Sequence, residues 1–402
     1  MSCNSCNLPN ASNNIHKKIE IADIFRGNID KLPEMHSELS QVVNSIIKCR
    51  TSALGGHVLK CDSCGHEEYS YNSCRNRHCP KCQTLKKMKW LEARKEELLP
   101  VPYFHVVFTM PSILNPIALQ NKKVIYNILF KAVSETLQDA AKTPNNLGAD
   151  IGFIAILHTW GQNLIDHPHI HCVVPAGGIS PSGEKWKSCR GNYFIPVKIL
   201  SKLLRGKFLD FLRKAYENME LQFFGNIQNL HNKNEFQKII DKAYSTDWVV
   251  YAKKPFAGPE QVFDYLGRYT HRVAISNNRI LKLEDGKVSF KWKDYTDDNK
   301  EKIMTLDVKE FMRRFLLHVL PKGFVKIRFF GFLSNRTKND KINHIFKILK
   351  KKRTQKEKNQ ETWQELFLRI TGIDACICSE CKKGRLIVIR EIPNLNQFQD
   401  TS

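Results

Sequence analysis

Between residues 100 and 335 of this 402-residue chain, short apolar runs alternate with longer periodic stretches, a pattern that predicts a mixed α+β domain. The run from Tyr103 to Thr109, YFHVVFT, lies between Pro102 and Pro111 and is short, aromatic and β-branched, as a buried strand is. Val124, Ile125, Ile128, Leu129, Val133 and Leu137 then recur at helical spacing and predict a long amphipathic core helix. Residues Ile151 to Gln162 and His169 to Ala176 form a central hairpin, with a turn at Asp166 to Pro168. Gly177 to Gly183 is a turn-rich link, and Phe194 to Leu230 reads as basic and mostly helical. A strand from Asp247 to Ala252 leads into a helix opening at Pro259. Leu281 to Trp292 is a hairpin turning at Glu284-Asp285-Gly286, Asp307 to Glu310 caps a helix running to Leu320, and Phe324 to Phe330 closes the sheet.

The flanks read differently. Helical patterns occupy Ile19 to Phe25 and Leu39 to Ile47, and a further helix runs from about Leu85 to before Pro100. A Lys-rich run spans Lys347 to Lys358. Four successive segments are expected: an N-terminal helical segment (1–56), a small domain containing two Cys-x2-Cys pairs whose spacing suits zinc (57–99), the α+β domain (100–335), and a basic C-terminal segment with a further Cys-x2-Cys pair (336–402).

Charge narrows the partners. Lys and Arg total 63 against 40 Asp and Glu, a net +23 with pI near 9.5, which points to a polyanion. The N-terminus lacks a charged region followed by an apolar run, and no stretch approaches the ~18 consecutive apolar residues of a membrane span, so a soluble, unexported protein of the cytoplasm is expected. The 13 cysteines are odd in number and mostly paired as CxxC, which fits zinc in a reducing compartment better than disulfides.

Cys61-Asp62-Ser63-Cys64 and Cys79-Pro80-Lys81-Cys82 are two CxxC knuckles fourteen residues apart. Each holds two thiolates at the separation a tetrahedral Zn²⁺ requires, so Cys61, Cys64, Cys79 and Cys82 are expected to form one closed structural site. Cys74 and His78 lie between the pairs as substitutes or ligands of a second ion. Arg75, Arg77, Lys81, Lys86, Lys87 and Lys89 suggest that this module docks on phosphate. Cys378 and Cys381 make a candidate second knuckle whose other ligands are not visible in the sequence. Cys3 and Cys6 form a further pair with no assigned role.

His169 and His171 project from one face of a strand and make half of a metal site. Pairing Gln162 with His169 across the hairpin puts Gln162 beside the histidines, with His158 on the same face two steps further along. Gln162 is the favoured third ligand and His158 the alternate, for Mg²⁺ or Mn²⁺. Tyr265 and Tyr269, one helical turn apart, are accompanied by Arg268, His271 and Arg272, which would meet a phosphate with positive charge.

His-hydrophobic-His followed by a two-tyrosine helix resembles the HUH single-strand nucleases. The strings LHTWGQNL, HPHIHCVVPAGG and YLGRYTHRVAIS resemble the rolling-circle transposases of the insertion-sequence ninety-one family, from about Cys49 to about Asn335. The resemblance implies an antiparallel sheet of about five strands with HxH on a middle strand and the tyrosine helix packed across it. His105 and Thr109 would point toward the site. It also implies metal-dependent nicking and transfer of single-stranded DNA, at element ends and target, through a 5′-phosphotyrosine. A replication initiator or relaxase would share this chemistry, and a non-catalytic zinc-containing DNA-binding regulator would share the charge and the cysteines. A metal-dependent hydrolase is disfavoured because no acidic cluster accompanies the histidines.

Overall fold

A computed structural model describes residues 18–191, 194–256, 261–262, 267, 273–294, 297–353 and 361–394. The chain divides into two compact units that interleave along the sequence, Met1–Trp90 with His271–Val319 and Lys356–Ser402, and Leu91–Thr270 with Leu320–Gln355. These units cut across the four successive segments expected above. Residues of the 271–319 stretch and of the C-terminal segment fold with the cysteine-rich part, because hydrogen-bonded partners far apart in sequence leave no local signal of their pairing.

The first unit contains two three-stranded antiparallel sheets. One comprises β1 (Gly56–Cys61), β2 (Glu67–Tyr71) and β13 (Leu386–Ile392), in the order β13-β1-β2. The other comprises β9 (Ile280–Glu284), β10 (Lys287–Asp294) and β11 (Lys300–Asp307), in the order β11-β10-β9. Asp285 and Gly286 both have positive φ, 50° and 71°, so the β9–β10 turn is the two-residue type that matches strand twist. β11 has few apolar residues, and the sequence reading missed it. Asp307 caps the helix Val308–Leu317 by accepting from the Lys309 N–H at 2.8 Å, and that helix stops three residues short of Leu320. Its Phe311 and Phe315 pack edge-on against Phe290 (5.6 Å) and Phe25 (5.5 Å), which ties the helix Ile21–Arg26 to the β9–β11 layer.

The second unit is built on a five-stranded antiparallel sheet of β3 (Tyr103–Thr109), β4 (Gly152–Trp160), β5 (Asp166–Pro175), β8 (Val250–Phe256) and β12 (Ile327–Gly331). The order is β12-β4-β5-β3-β8, so the strand carrying His169 and His171 is central, as expected. Alternation along each strand sends one set of side chains into the core: Phe104, Val106 and Phe108 from β3; Phe153, Ala155 and Leu157 from β4; Ile170, Cys172 and Val174 from β5. The helices Lys122–Lys142 and Val197–Glu217 cover that face with Ile125, Leu129, Val133, Leu137, Leu204, Phe208 and Leu212. Each large side chain buried there contributes about 1.5–3 kcal/mol, which makes the sheet a rigid platform for the opposite face. Gly331 has φ +59°, and a Cβ on it would collide with the Ile151 carbonyl, so β12 can lie against β4 only with glycine there. The turn-rich link forms a small ribbon, β6 (Gly177–Ile179) with β7 (Trp186–Ser188). Among the described residues no helix is long and apolar enough to cross a membrane.

Candidate metal centres

The register of the β4–β5 hairpin decides which side chains meet. Ile156 pairs with His171 and His158 with His169; after an irregularity Trp160 pairs with Asp166. The connection is shorter than the sequence reading allowed, because Asp166 is already the first residue of β5. Gly161 N–H donates to the Ile165 carbonyl (2.9 Å) and Leu164 N–H to the Gly161 carbonyl (3.1 Å), with Leu164 at φ 62° and its side chain buried. Gln162 therefore lies in the turn, outside the ladder, and His158 takes the place beside His169 that was expected for Gln162. A shift in register along a strand is enough to exchange one candidate for the other.

The nitrogen atoms of His158, His169 and His171 lie within 4.8 Å of one another. Ring centroids are 4.6 Å apart for His158 and His171, 4.8 Å for His169 and His171, and 5.5 Å for His158 and His169. Trp160 stacks on His158 at 4.8 Å and 18°, limiting its rotation. His169 Nδ1–H donates to the His167 carbonyl (2.6 Å), which leaves the Nε2 lone pair free for a cation. His171 Nδ1 is 2.9 Å from His105 Nε2, so His105 on β3 can set the tautomer of His171 in the same way. Thr109 pairs directly with His169, and Lys253 on β8 pairs with His105, adding positive charge to this face.

Burial holds His169 down at about 4, and burial, then Lys253 and His169, hold His105 down at about 3. Both rings are thus neutral near pH 7, the form a ligand must have. The sign for stability follows from linkage. Below the ordinary histidine value of 6.5 the unfolded chain takes up protons that the folded rings refuse until about 4 and about 3. Stability of the metal-free protein is therefore present above pH ~6.5 and is lost as pH falls toward ~4. Urea midpoints measured across this range should decline with pH, and His105→Gln with His169→Gln should flatten the decline; an unchanged slope would show that these rings are not the groups responsible.

Asp166 is a feature the sequence reading treated only as a turn residue. Its side chain points to the core face of β5, is buried, and neither carboxylate oxygen has a hydrogen-bond partner among the described residues. Burial pushes its pKa up to about 7, with Lys122 opposing the shift. Its folded-state stability contribution is therefore largest below the ordinary value of 3.8 and is lost as pH rises through about 7. Asp166→Asn should raise the melting temperature at pH 8 and have little effect at pH 4; a lower melting temperature at pH 8 would mean that the carboxylate is stabilising.

Among the described residues eight cysteines form two clusters, each with sulfurs within 4.8 Å of one another: Cys49, Cys74, Cys79 and Cys82, and Cys61, Cys64, Cys378 and Cys381. The two knuckles expected to share one site are thus separated. Cys79 and Cys82 meet Cys49, which follows the helix Ser37–Lys48, and Cys74; Cys61 and Cys64 meet the C-terminal knuckle. The spacing of CxxC pairs shows that each is half a site but not which halves belong together. In the first cluster Cys49 and Cys82 are 3.5 Å apart and Cys74 and Cys82 3.6 Å, too far for a disulfide and close to the ~3.75 Å edge of a tetrahedron with Zn–S of ~2.3 Å. The neighbouring thiols of Cys49, Cys74 and Cys79 hold Cys82 well below the ordinary thiol range, as expected where one sulfur gives up its proton. The donor set fits zinc.

Of the basic residues near this cluster, Lys86 donates to the Arg75 carbonyl (2.7 Å), Lys81 pairs with Glu20, and Arg77 is half-buried with Glu38 nearby. Some of the charge assigned to phosphate docking therefore serves the fold. Tyr265, Tyr269, Arg268, His271 and Arg272 lie outside the described residues, as do Cys3 and Cys6.

The transposase zinc-binding domain of the IS91 type matches residues 21–110, and the family Y2_Tnp, described as "Putative transposase", matches residues 152–341. The chain is 49% identical over 376 residues to "Putative transposase y4qJ" of Sinorhizobium fredii (strain NBRC 101917 / NGR234), covering 92% of this chain and 94% of that one. It is 28% identical over 316 residues to the "Transposase for insertion sequence element IS801" of Pseudomonas savastanoi pv. phaseolicola, covering 77% and 74%. No solved structure matches. The class is therefore a zinc-binding transposase, whose partner is DNA, and the +23 charge fits that partner. Within this class the chain belongs to the IS91 family.

Proposed function

We propose that this transposase nicks and rejoins single-stranded DNA by rolling-circle chemistry, with Tyr265 and Tyr269 as nucleophiles and His158, His169 and His171 holding one divalent ion. The observation that carries this reading is the convergence of three imidazoles on the rigid centre of the sheet, two of them oriented by hydrogen bonds from Nδ1. Three nitrogen donors suit a transition ion better than Mg²⁺, which prefers oxygen, so Mn²⁺ is the better fit of the two ions expected. When bound, the ion polarises the scissile phosphate as a Lewis acid.

A phenol is a poor nucleophile at its ordinary pKa of ~10, which is why phosphate polarisation matters. The tyrosine oxygen attacks phosphorus, the bond to the 3′-oxygen breaks, and the proton lost by the phenol is balanced by the proton gained at the released 3′-hydroxyl. The product is a 5′-phosphotyrosine, which conserves the phosphodiester for attack by another strand's 3′-hydroxyl. Lys253, Arg268, His271 and Arg272 supply positive charge for the phosphates. Cys49, Cys74, Cys79 and Cys82 hold a structural zinc in the N-terminal domain and take no part in bond breaking.

His105 acts through His171 and is a positioning residue. His105→Ala should weaken Mn²⁺ affinity about 10–100-fold while saturating metal restores most of the cleavage rate. A fall in the maximal rate that metal cannot rescue would contradict this role. The overall reading is tested by incubating the protein with single-stranded DNA: cleavage should require Mn²⁺ and stop in chelator, and cutting of equal rate without a divalent ion would overturn it.

A further inference from the structure

We propose that Cys61, Cys64, Cys378 and Cys381 bind a second structural Zn²⁺, which fastens the C-terminal segment to the N-terminal cysteine domain. This inference is independent of the DNA chemistry above. It also goes beyond the zinc-binding family match, which ends at residue 110 and so includes only half of the ligands.

The sulfur geometry fits a tetrahedral thiolate site. Cys61 Sγ lies 3.7 Å from Cys381 Sγ, and Cys64 Sγ lies 3.7 Å from Cys378 Sγ. These distances match the ~3.75 Å edge set by Zn–S bonds of ~2.3 Å and are far longer than a disulfide. Backbone amides also turn toward the sulfurs. Ser63 N–H and Cys64 N–H lie 3.4 and 3.5 Å from Cys61 Sγ, and Gly384 N–H lies 3.3 Å from Cys381 Sγ. Donors aimed at sulfur from both knuckles stabilise thiolates, the form that zinc binds.

The surrounding backbone brings the two knuckles together. β1 ends in the first knuckle and β13 begins just after the second, and the two strands pair antiparallel from Gly56↔Ile392 to Cys61↔Leu386. The register continues beyond the strands: Asp62 N–H donates to the Arg385 carbonyl (3.0 Å), and Arg385 N–H donates to Asp62 Oδ1 (2.8 Å). Ser379 donates to Glu68 on β2. Gly384 is packed so closely that a Cβ there would overlap Cys61 Sγ, Ser63 and Asp62, so the fit of one knuckle on the other demands glycine. The ligands joined are 314 and 320 residues apart, so the ion closes a very long loop and limits the unfolded chain as a long-range cross-link would.

The deciding measurement is metal content of the purified full chain, combined with alkylation of its cysteines mapped by mass spectrometry. Two zinc ions per chain are expected, with Cys61, Cys64, Cys378 and Cys381 protected until a chelator is added. Cys378→Ser with Cys381→Ser should carry one zinc and leave Cys49, Cys74, Cys79 and Cys82 protected. Gly384→Val should lose protection of the same four outer cysteines while retaining every ligand. One zinc in the unmodified chain with Cys378 and Cys381 alkylated at the rate of free thiols would overturn the proposal, as would two zinc ions retained by the double serine variant. The alkylation of the unmodified chain decides the matter even where a variant fails to fold.

Discussion

Replacing His158 with alanine is expected to lower DNA cleavage by about 10²–10³-fold or more, whereas Gln162→Ala should leave it within about threefold of the unmodified rate. The contrast follows from the hairpin register. His158 sits opposite His169 in the ladder, is buried, and is held by the Trp160 ring, so its imidazole has one place to go. Gln162 is in a turn whose backbone is fixed by Gly161, Leu164 and Ile165, away from the paired positions. His169→Ala and His171→Ala should behave as His158→Ala does. All three variants should keep DNA binding with a steep salt dependence, because affinity rests on the many lysines and arginines of a +23 chain. Cleavage at saturating Mn²⁺ and filter binding at several salt concentrations separate the two effects. Equal loss in Gln162→Ala and His158→Ala would return the amide to the ligand set.

Removing both tyrosine hydroxyls should have the larger effect still. Tyr265→Phe with Tyr269→Phe should form no covalent adduct, on the scale of the ~10⁶-fold cost of deleting an enzymic nucleophile. Each single variant should retain some cutting of one strand yet fail or nearly fail at complete transposition. The reason is occupancy: the first cut consumes one phenol, and a second strand can be attacked while the first is held only if another phenol lies within reach of the same ion. Tyr265 and Tyr269, four apart in a segment whose sequence predicts a helix, would satisfy that with a small shift of helix or DNA. A single variant that transposes at the full rate would reduce the mechanism to one nucleophile and leave the other tyrosine with a packing role.

Much of the five-stranded sheet was legible because its signals are local. YFHVVFT and the periodic apolar positions from Val124 to Leu137 found their strand and helix, and Asp285-Gly286 found its turn. β5 is central, as the family resemblance implied for the strand carrying His169 and His171. What failed was long-range or depended on a single residue of register. Gln162 and His158 lie on either side of a short irregularity in the hairpin that no pattern of hydrophobic residues reveals. Cys61 and Cys79 each announced half of a candidate metal site, and the cysteines that join them in the two clusters, Cys378 and Cys49 among them, are brought there only by strands and helices that pack in three dimensions. β11 was missed because its alternation is polar, and β6 because three residues beginning with two glycines look like turn. Asp166 looked like turn chemistry and is instead a buried carboxyl at the start of the strand that carries His169 and His171.

A tyrosine of the 265–269 pair is expected to become covalently joined to DNA in a reaction that needs the metal held by His158, His169 and His171. Incubation with 5′-extended single-stranded DNA and Mn²⁺, followed by denaturing electrophoresis and mass spectrometry of the shifted band, tests it directly. The predicted result is a denaturation-resistant band containing a nucleotide-modified peptide at Tyr265 or Tyr269, absent from the double phenylalanine variant and from samples with excess chelator. No resistant band, or an adduct on another residue such as the exposed Tyr251 of β8, which pairs with Val107 beside His171, would contradict the account.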